Sequence, residues 1–143
     1  MAITTDVLVG FPGETEAEFQ ESLEFVRRMA FSRLHVFRYS PRPGTPAVRL
    51  AGQVHPRLAQ ERSDALIALG HDLSRRFHER FLGRRLQVLF ESAEEGCDPP
   101  LWSGCTDHYV RVQAPSHENL HNRFAFVCPT KADQEGLCGE ILP

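Results

Sequence analysis

Residues 9–19 read VGFPGETEAEF, two glycines and a proline set between an apolar run and an acidic helix start. That composition suits a turn where backbone comes close to a ligand. Glycine reaches dihedrals and approaches that a Cβ forbids. The N–H groups of a helix start attract anions and acceptor atoms, and Glu14 adds a carboxylate that can accept from a ribose or an amine. Gly10, Phe11, Pro12, Gly13 and Glu14 are therefore candidate ligand contacts, with a purely structural tight turn as the alternative. The stretch is neither a G-x-x-x-x-G-K-[ST] loop nor G-x-G-x-x-G. A second candidate is YSPRPGTPA at 39–47. Tyr39 and Ser40 bring hydroxyls, and Arg42 brings a planar cation shaped for carboxylate or phosphate. Pro41, Pro43 and Pro46 stiffen that loop, which otherwise reads as a proline-rich surface segment.

The last third of the chain offers a different chemistry. Arg84, Arg85, Arg111, Arg123 and Lys131 are its only cations and the only groups there that can meet phosphates. Trp102, Tyr109, Phe124 and Phe126 either fill a core or stack on bases; the expectation for Phe124 and Phe126 is core. The alternation in HYVRV puts His108, Val110 and Val112 on one face and Tyr109 and Arg111 on the other. The seven histidines form no ligand cluster and are read as structural or solvent-facing. Cys97, Cys105, Cys128 and Cys138 follow no zinc or iron–sulfur spacing and are read as free thiols. No residue is assigned a catalytic or metal-ligating role.

The elements that must position these groups follow from periodicity. ITTDVLVGF (3–11) predicts a strand whose Val7, Leu8 and Val9 form the continuous apolar run of a parallel strand buried on both faces. Residues 13–30 predict a helix with a capping box at Thr15 and Glu18 and an apolar face of Phe19, Leu23, Val26 and Met29. Acidic residues crowd its start, and Arg27 and Arg28 its end. SRLHVFRYS (32–40) predicts a second strand, so the first part is a βαβ unit with parallel strands. After the loop 41–56 comes a long helix over about 56–82, with Pro56 at its first position, Gly83 past its end and a stripe of Leu58, Leu66, Leu69, Leu73, Phe77 and Phe81. Four short runs, 84–92, 104–115, 123–130 and 136–142, then predict strands separated by the loops EEGCDPP, PSHENLHN and KADQEG. Short strands at this spacing predict a small antiparallel barrel. The fold expected is α+β, with a βαβ piece over 1–55, a connecting helix over 56–83 and a barrel over 84–143.

Bulk properties bound the partners. Hydrophobic residues are 41% and charged residues 24% of the 143, as in soluble globular proteins. No apolar run nears the ~20 residues that span a bilayer, and the start lacks a basic signal-peptide region, so no membrane contact and a cytoplasmic location are expected. The net charge of −3 is uneven: residues 1–83 hold 11 Arg against 10 Asp and Glu, residues 84–143 hold 5 Arg and Lys against 9. Nucleic-acid binding would therefore have to be local rather than driven by overall charge.

Taken together, TDVLVGFPGETEAEF, HVFRYSPRPGTPA, ERSDALIALG, RFLGRRLQVLFES and GCTDHYVRV resemble the C-terminal part of the radical-SAM tRNA methylthiotransferases. LHVFRYSPRPGTPA is most similar to the branch acting on threonylcarbamoyladenosine, often called MtaB. The resemblance covers nearly the whole chain. It implies the end of a radical-SAM partial TIM barrel followed by a TRAM domain, a small OB-like β-barrel that helps bind tRNA. It further implies an enzyme that uses S-adenosylmethionine and two 4Fe-4S clusters to add a methylthio group to the adenosine 3′ of the anticodon. By resemblance, Gly10–Glu14 with Tyr39, Ser40 and Arg42 line the S-adenosylmethionine edge. Arg84, Arg85, Tyr109, Arg111, Arg123 and Lys131 are the residues expected to contact the tRNA anticodon stem-loop, and the acidic balance of 84–143 suggests at most a weak or partner-assisted contact.

One departure shapes the expectation. The family's C-x-x-x-C-x-x-C motif is absent, and no cysteine precedes Cys97. The chain is therefore expected to be a piece of a longer enzyme, to hold no cofactor and to be inactive alone, retaining at most tRNA binding. The exposed edges of a two-stranded sheet predict self-association of the βαβ part, its packing on the barrel, or its partial disorder. The alternative is a stand-alone TRAM-type RNA-binding module without catalysis.

Overall fold

The computed structural model describes residues 1–94 and 96–143; Glu95, in the predicted loop EEGCDPP, lies outside the described residues. The elements run β1 (Thr4–Val9), α1 (Glu16–Met29), β2 (Arg33–Arg38), a 3₁₀ turn (Pro46–Arg49), α2 (Pro56–Glu79), β3 (Leu86–Glu94), β4 (Leu101–Thr106), β5 (Arg111–Pro115), β6 (Arg123–Ala132) and β7 (Leu137–Ile141). They fall into two compact units, residues 3–73 and residues 1–2 with 74–143, divided between Leu73 and Ser74 within α2.

In the first unit β1 and β2 pair in parallel, from Thr4 opposite Arg33 to Val9 opposite Arg38. Between them α1 begins at the capping box foreseen in the sequence. Glu18 N–H donates to Thr15 Oγ1 (3.3 Å), and Thr15 N–H donates to Glu18 Oε2 (2.8 Å). The helix stops at Ala30, which turns left-handed (φ 49°) and gives its N–H to Val26 O. Phe19 and Val26 of α1 pack with Val9, Phe31, and Leu66 and Leu73 of α2. Val7, Leu34 and Val36 complete that core, so it lies against one face of the sheet.

The other face is bare, which corrects the expectation of a doubly buried strand. Leu8 and Phe37, opposite one another in the register, are 50% and 52% exposed. Both helices feed one core, and side chains alternate along a strand, so every second residue faces away from it. Two positions of the predicted helix stripes also miss the core: Met29 and Leu58 are exposed.

In the second unit five strands close into a barrel in the order β3-β4-β5-β7-β6. The sequence predicted an antiparallel barrel; one pair, β5 with β7, is parallel, Val112 opposite Leu137 and Gln113 opposite Cys138. Phe77, at the end of α2, and Phe81, in the turn after it, meet edge-to-face at 5.3 Å and pack with Val88, Phe90, Trp102, Val112, Val127 and Leu137. Buried His78 donates from Nδ1 to the Asp133 carbonyl (2.6 Å).

Two further expectations change here. The predicted strand 104–115 is two strands joined by a turn. Thr106 accepts the Tyr109 N–H on its carbonyl (3.0 Å) and the His108 and Val110 N–H groups on its Oγ1 (3.2 Å each). A threonine oxygen thus does what glycine or proline usually does, and His108 leaves the face shared by buried Val110 and Val112. Phe124 and Phe126, predicted to be core, face outward at 67% and 36% exposure, because Ala125 and Val127 take the inward positions of β6. Val88, fully buried, pairs with Ala125 and sets that register.

Candidate functional site

The glycine turn after β1 holds itself. Gly10 N–H donates to Glu14 Oε2 (2.7 Å), Gly13 N–H to Gly52 O (2.8 Å) and Glu14 N–H to Phe11 O (3.0 Å). A Cβ on Gly10, whose φ is 75°, would sit 2.7 Å from the Ala59 Cβ of α2, so this glycine makes room for a helix. Gly13, at φ 90°, meets nothing within 4 Å of its Cβ position. Glu14 does not point a free carboxylate at a ligand. Arg62, 3% exposed, donates from Nη1 to Glu14 Oε2 (2.7 Å) and Glu14 O (3.0 Å), and from Nη2 to Glu16 Oε2 (3.2 Å). Burial alone would lower the Arg62 pKa, but the bonds to Glu14 and Glu16 outweigh it and the net direction is up. Its guanidinium also lies 5.3 Å from the Phe19 ring centroid. Arg62 was invisible as a site residue in the sequence, where it is one arginine on a polar-looking helix, 48 residues from its partner.

The two candidate loops meet at the C-terminal ends of the paired strands. The Phe11 and Tyr39 rings are edge-to-face at 5.3 Å, and Tyr39 N–H donates to Val9 O (2.8 Å). Among the described residues, the buried Tyr39 hydroxyl has no hydrogen-bond partner. Ser40 and Arg42 are exposed, and Pro12 lies buried in the turn. What this edge presents outward is thus Phe11, Ser40 and Arg42, with one unsatisfied buried hydroxyl behind them. A separate cleft of about 780 Å³, lined by Asp6, Glu18, Glu21 and Phe25 among others, opens beside α1.

On the barrel the predicted cations are spread over its outer surface. Arg85 lies 3.8 Å over the Phe126 ring, and Arg123 is at the other end of the β3–β6 ribbon, opposite Phe90. Arg111 donates from Nε to Ser103 Oγ (3.0 Å). Tyr109, left-handed at φ 57°, stands 91% exposed on the β4–β5 turn. Arg84 and Lys131 are exposed, Lys131 beside Cys138 of β7. Strand register aligns Phe124, Leu89, Cys105 and Arg111 in one row across four strands. Burial raises the Cys105 thiol pKa, helped by Glu91 and opposed by Arg111.

All four cysteines are free thiols, and among the described residues no group of three or more His, Cys, Asp or Glu could hold a metal ion. Among the described residues, no helix is long and apolar enough to cross a membrane.

No family model matches the chain. Individual proteins do. It is 45% identical over 122 residues, 85% of this chain and 26% of the relative, to threonylcarbamoyladenosine tRNA methylthiotransferase MtaB of Thermotoga maritima. It is 36% identical over 141 residues, 99% of this chain and 25% of the relative, to tRNA-2-methylthio-N(6)-dimethylallyladenosine synthase of Streptomyces viridosporus. It is 36% identical over 149 aligned positions, 98% of this chain and 32% of the relative, to ribosomal protein uS12 methylthiotransferase RimO of Desulfitobacterium hafniense. The chain spans about a quarter to a third of the length of these curated relatives, and over that span it is similar to methylthiotransferases.

Proposed function

We propose that the chain is the C-terminal segment of a radical-SAM tRNA methylthiotransferase, in which it closes the catalytic barrel and supplies an OB-like TRAM module for the tRNA. Identity along almost the whole chain to enzymes named for methylthio transfer is the observation that carries this reading. The substrate is a modified adenosine 3′ of the anticodon, threonylcarbamoyladenosine in the MtaB branch. The edge formed by the 10–14 turn, Tyr39, Ser40 and Arg42 faces S-adenosylmethionine, and the unpartnered Tyr39 hydroxyl suits a polar group of that cofactor. The two 4Fe-4S clusters take their ligands from the remainder of the enzyme, so the segment alone does not catalyse. The enzyme works in the cytoplasm, and the bare edges and bare face of the β1–β2 sheet favour self-association when the segment stands alone.

The barrel's role is to hold the anticodon stem-loop. Its five-stranded closed form with one parallel pair suits the OB class, whose members bind oligonucleotides. Fluorescence anisotropy of the 143-residue chain with an anticodon stem-loop tests this. With only five cations after residue 83, the slope of log K against log salt should be no steeper than about −4. No binding at low salt would overturn the RNA reading.

The compact barrel unit formed by residues 74–143 favours a second reading, a TRAM-type module that binds RNA without chemistry. A stem-loop bound with no dependence on the threonylcarbamoyl group would support it.

A further inference from the structure

We propose that unpaired nucleotides dock on the outer face of the β3–β6 ribbon, with Phe124 as the open stacking platform and the Arg85–Phe126 pair as the adjoining seat. The proposal rests on the barrel being an RNA-binding module and says where on it the bases go. OB-type barrels commonly use the face of their second and third strands, here β4 and β5. The exposed aromatic strand residues of the barrel, Phe124 and Phe126, are elsewhere, both on the fourth strand, β6.

Phe124 is 67% exposed in a strand, held by pairing to Leu89 rather than swinging on a loop. Phe126, two residues on, faces the same way, with the Arg85 guanidinium 3.8 Å above its ring. A guanidinium already stacked on an aromatic is held flat, and its plane can carry a base while its N–H groups reach phosphate. A cation seated beside two flat apolar rings matches a polyanion that carries flat apolar bases. It does not match a second copy of the same face, which would bring its own arginine against it.

The spacing argues for unpaired rather than duplex RNA. Phe124 and Phe126 are about 6.7 Å apart along the strand, roughly twice the ~3.4 Å interval of stacked bases. Such platforms take bases that have left the stack, as in a loop. A-form duplex keeps its bases away from aromatic side chains.

Anisotropy with an RNA hairpin bearing a seven-nucleotide loop, and with the same stem as a blunt duplex, tests the idea on the 143-residue chain. Phe124→Ala should weaken hairpin binding roughly tenfold, leave duplex binding unchanged, and be rescued by Phe124→Tyr. Phe124→Thr, which keeps strand propensity, should behave like Phe124→Ala and guards against a folding defect. Unchanged hairpin affinity in both variants, while Arg111→Ala still weakens it, would overturn the platform and leave the RNA reading standing. No binding by the unsubstituted chain overturns both. Loss of a concentration-dependent dimer in Phe124→Ala, with RNA affinity unchanged, would make this face a self-contact and overturn the proposal.

Discussion

The β1–β2 sheet and the β3–β7 barrel answer one problem differently: where unpaired strand edges and apolar faces go. Each barrel strand pairs on both sides, and the interior is sealed around Phe90, Val88 and Val112. The β1–β2 sheet pairs once, buries one face and leaves Leu8 and Phe37 in solvent on the other. Recognition differs accordingly. The barrel can spend its outer surface on partners because its interior carries its stability. The α/β unit spends its turn donors on itself: Gly10, Gly13 and Glu14 all bond within the unit, with Arg62 as the clamp.

The largest expected effect tests the sealed interior. Phe90→Ala removes a fully buried ring and should cost about 3–5 kcal/mol. Hydrogen exchange followed by mass spectrometry should show lost protection in peptides spanning 86–132. If peptides spanning 4–38 lose protection equally, the two units unfold as one body and the contrast between them dissolves.

Next comes the clamp. Arg62→Ala leaves Glu14, 15% exposed in its side chain, without its cation. Breaking a buried pair in this way should cost about 3 kcal/mol, the low end of the usual range because Glu14 keeps some contact with water. The loss should appear in the exchange of residues 10–18 and leave the barrel untouched. Gly10→Ala should cost about 2 kcal/mol, since it combines a left-handed φ with the Ala59 contact.

What the sequence disclosed follows the range of the forces involved. The Thr15–Glu18 box, the stripe through Leu66, Leu73, Phe77 and Phe81, and the parallel βαβ order are local or periodic, so they could be read directly. Arg62 could not, because its partner is 48 residues away and nothing in ERSDAL announces a buried arginine. The β4–β5 turn carries no glycine or proline; a Thr106 hydroxyl makes it, and hydroxyls are common in strands. In FAFV, residues 124–127, both alternate sets are apolar. Size favoured the phenylalanines as core, and pairing of Ala125 with Val88 decided otherwise. The β5–β7 pairing is a long-range contact that no local pattern encodes.

A smaller effect lies at α1. Glu18 is held below the usual glutamate pKa by its bonds to the Thr15 backbone and hydroxyl, and Glu16 by Gln20 and Arg62. A depressed folded pKa gives stability that is present above the unfolded value, about 4.3, and is lost as pH falls through the folded value. Acidification from pH 6 to about 3 should therefore fray the start of α1, read by amide exchange at 16–20. Glu18→Gln should make that loss shallower.

The smallest expected effect is the one most able to sharpen the contrast. Leu8→Thr and Phe37→Thr alter side chains that are half exposed and share no core, and threonine keeps strand propensity. In a monomeric chain each should shift stability by less than about 0.5 kcal/mol. A loss above about 1 kcal/mol that grows with protein concentration would mean that this face is covered in solution. Light scattering on the same samples identifies the cover: a dimer that falls apart on Phe37→Thr assigns it to a second copy, and the sheet would then hide its face by association where the barrel hides its own by closure.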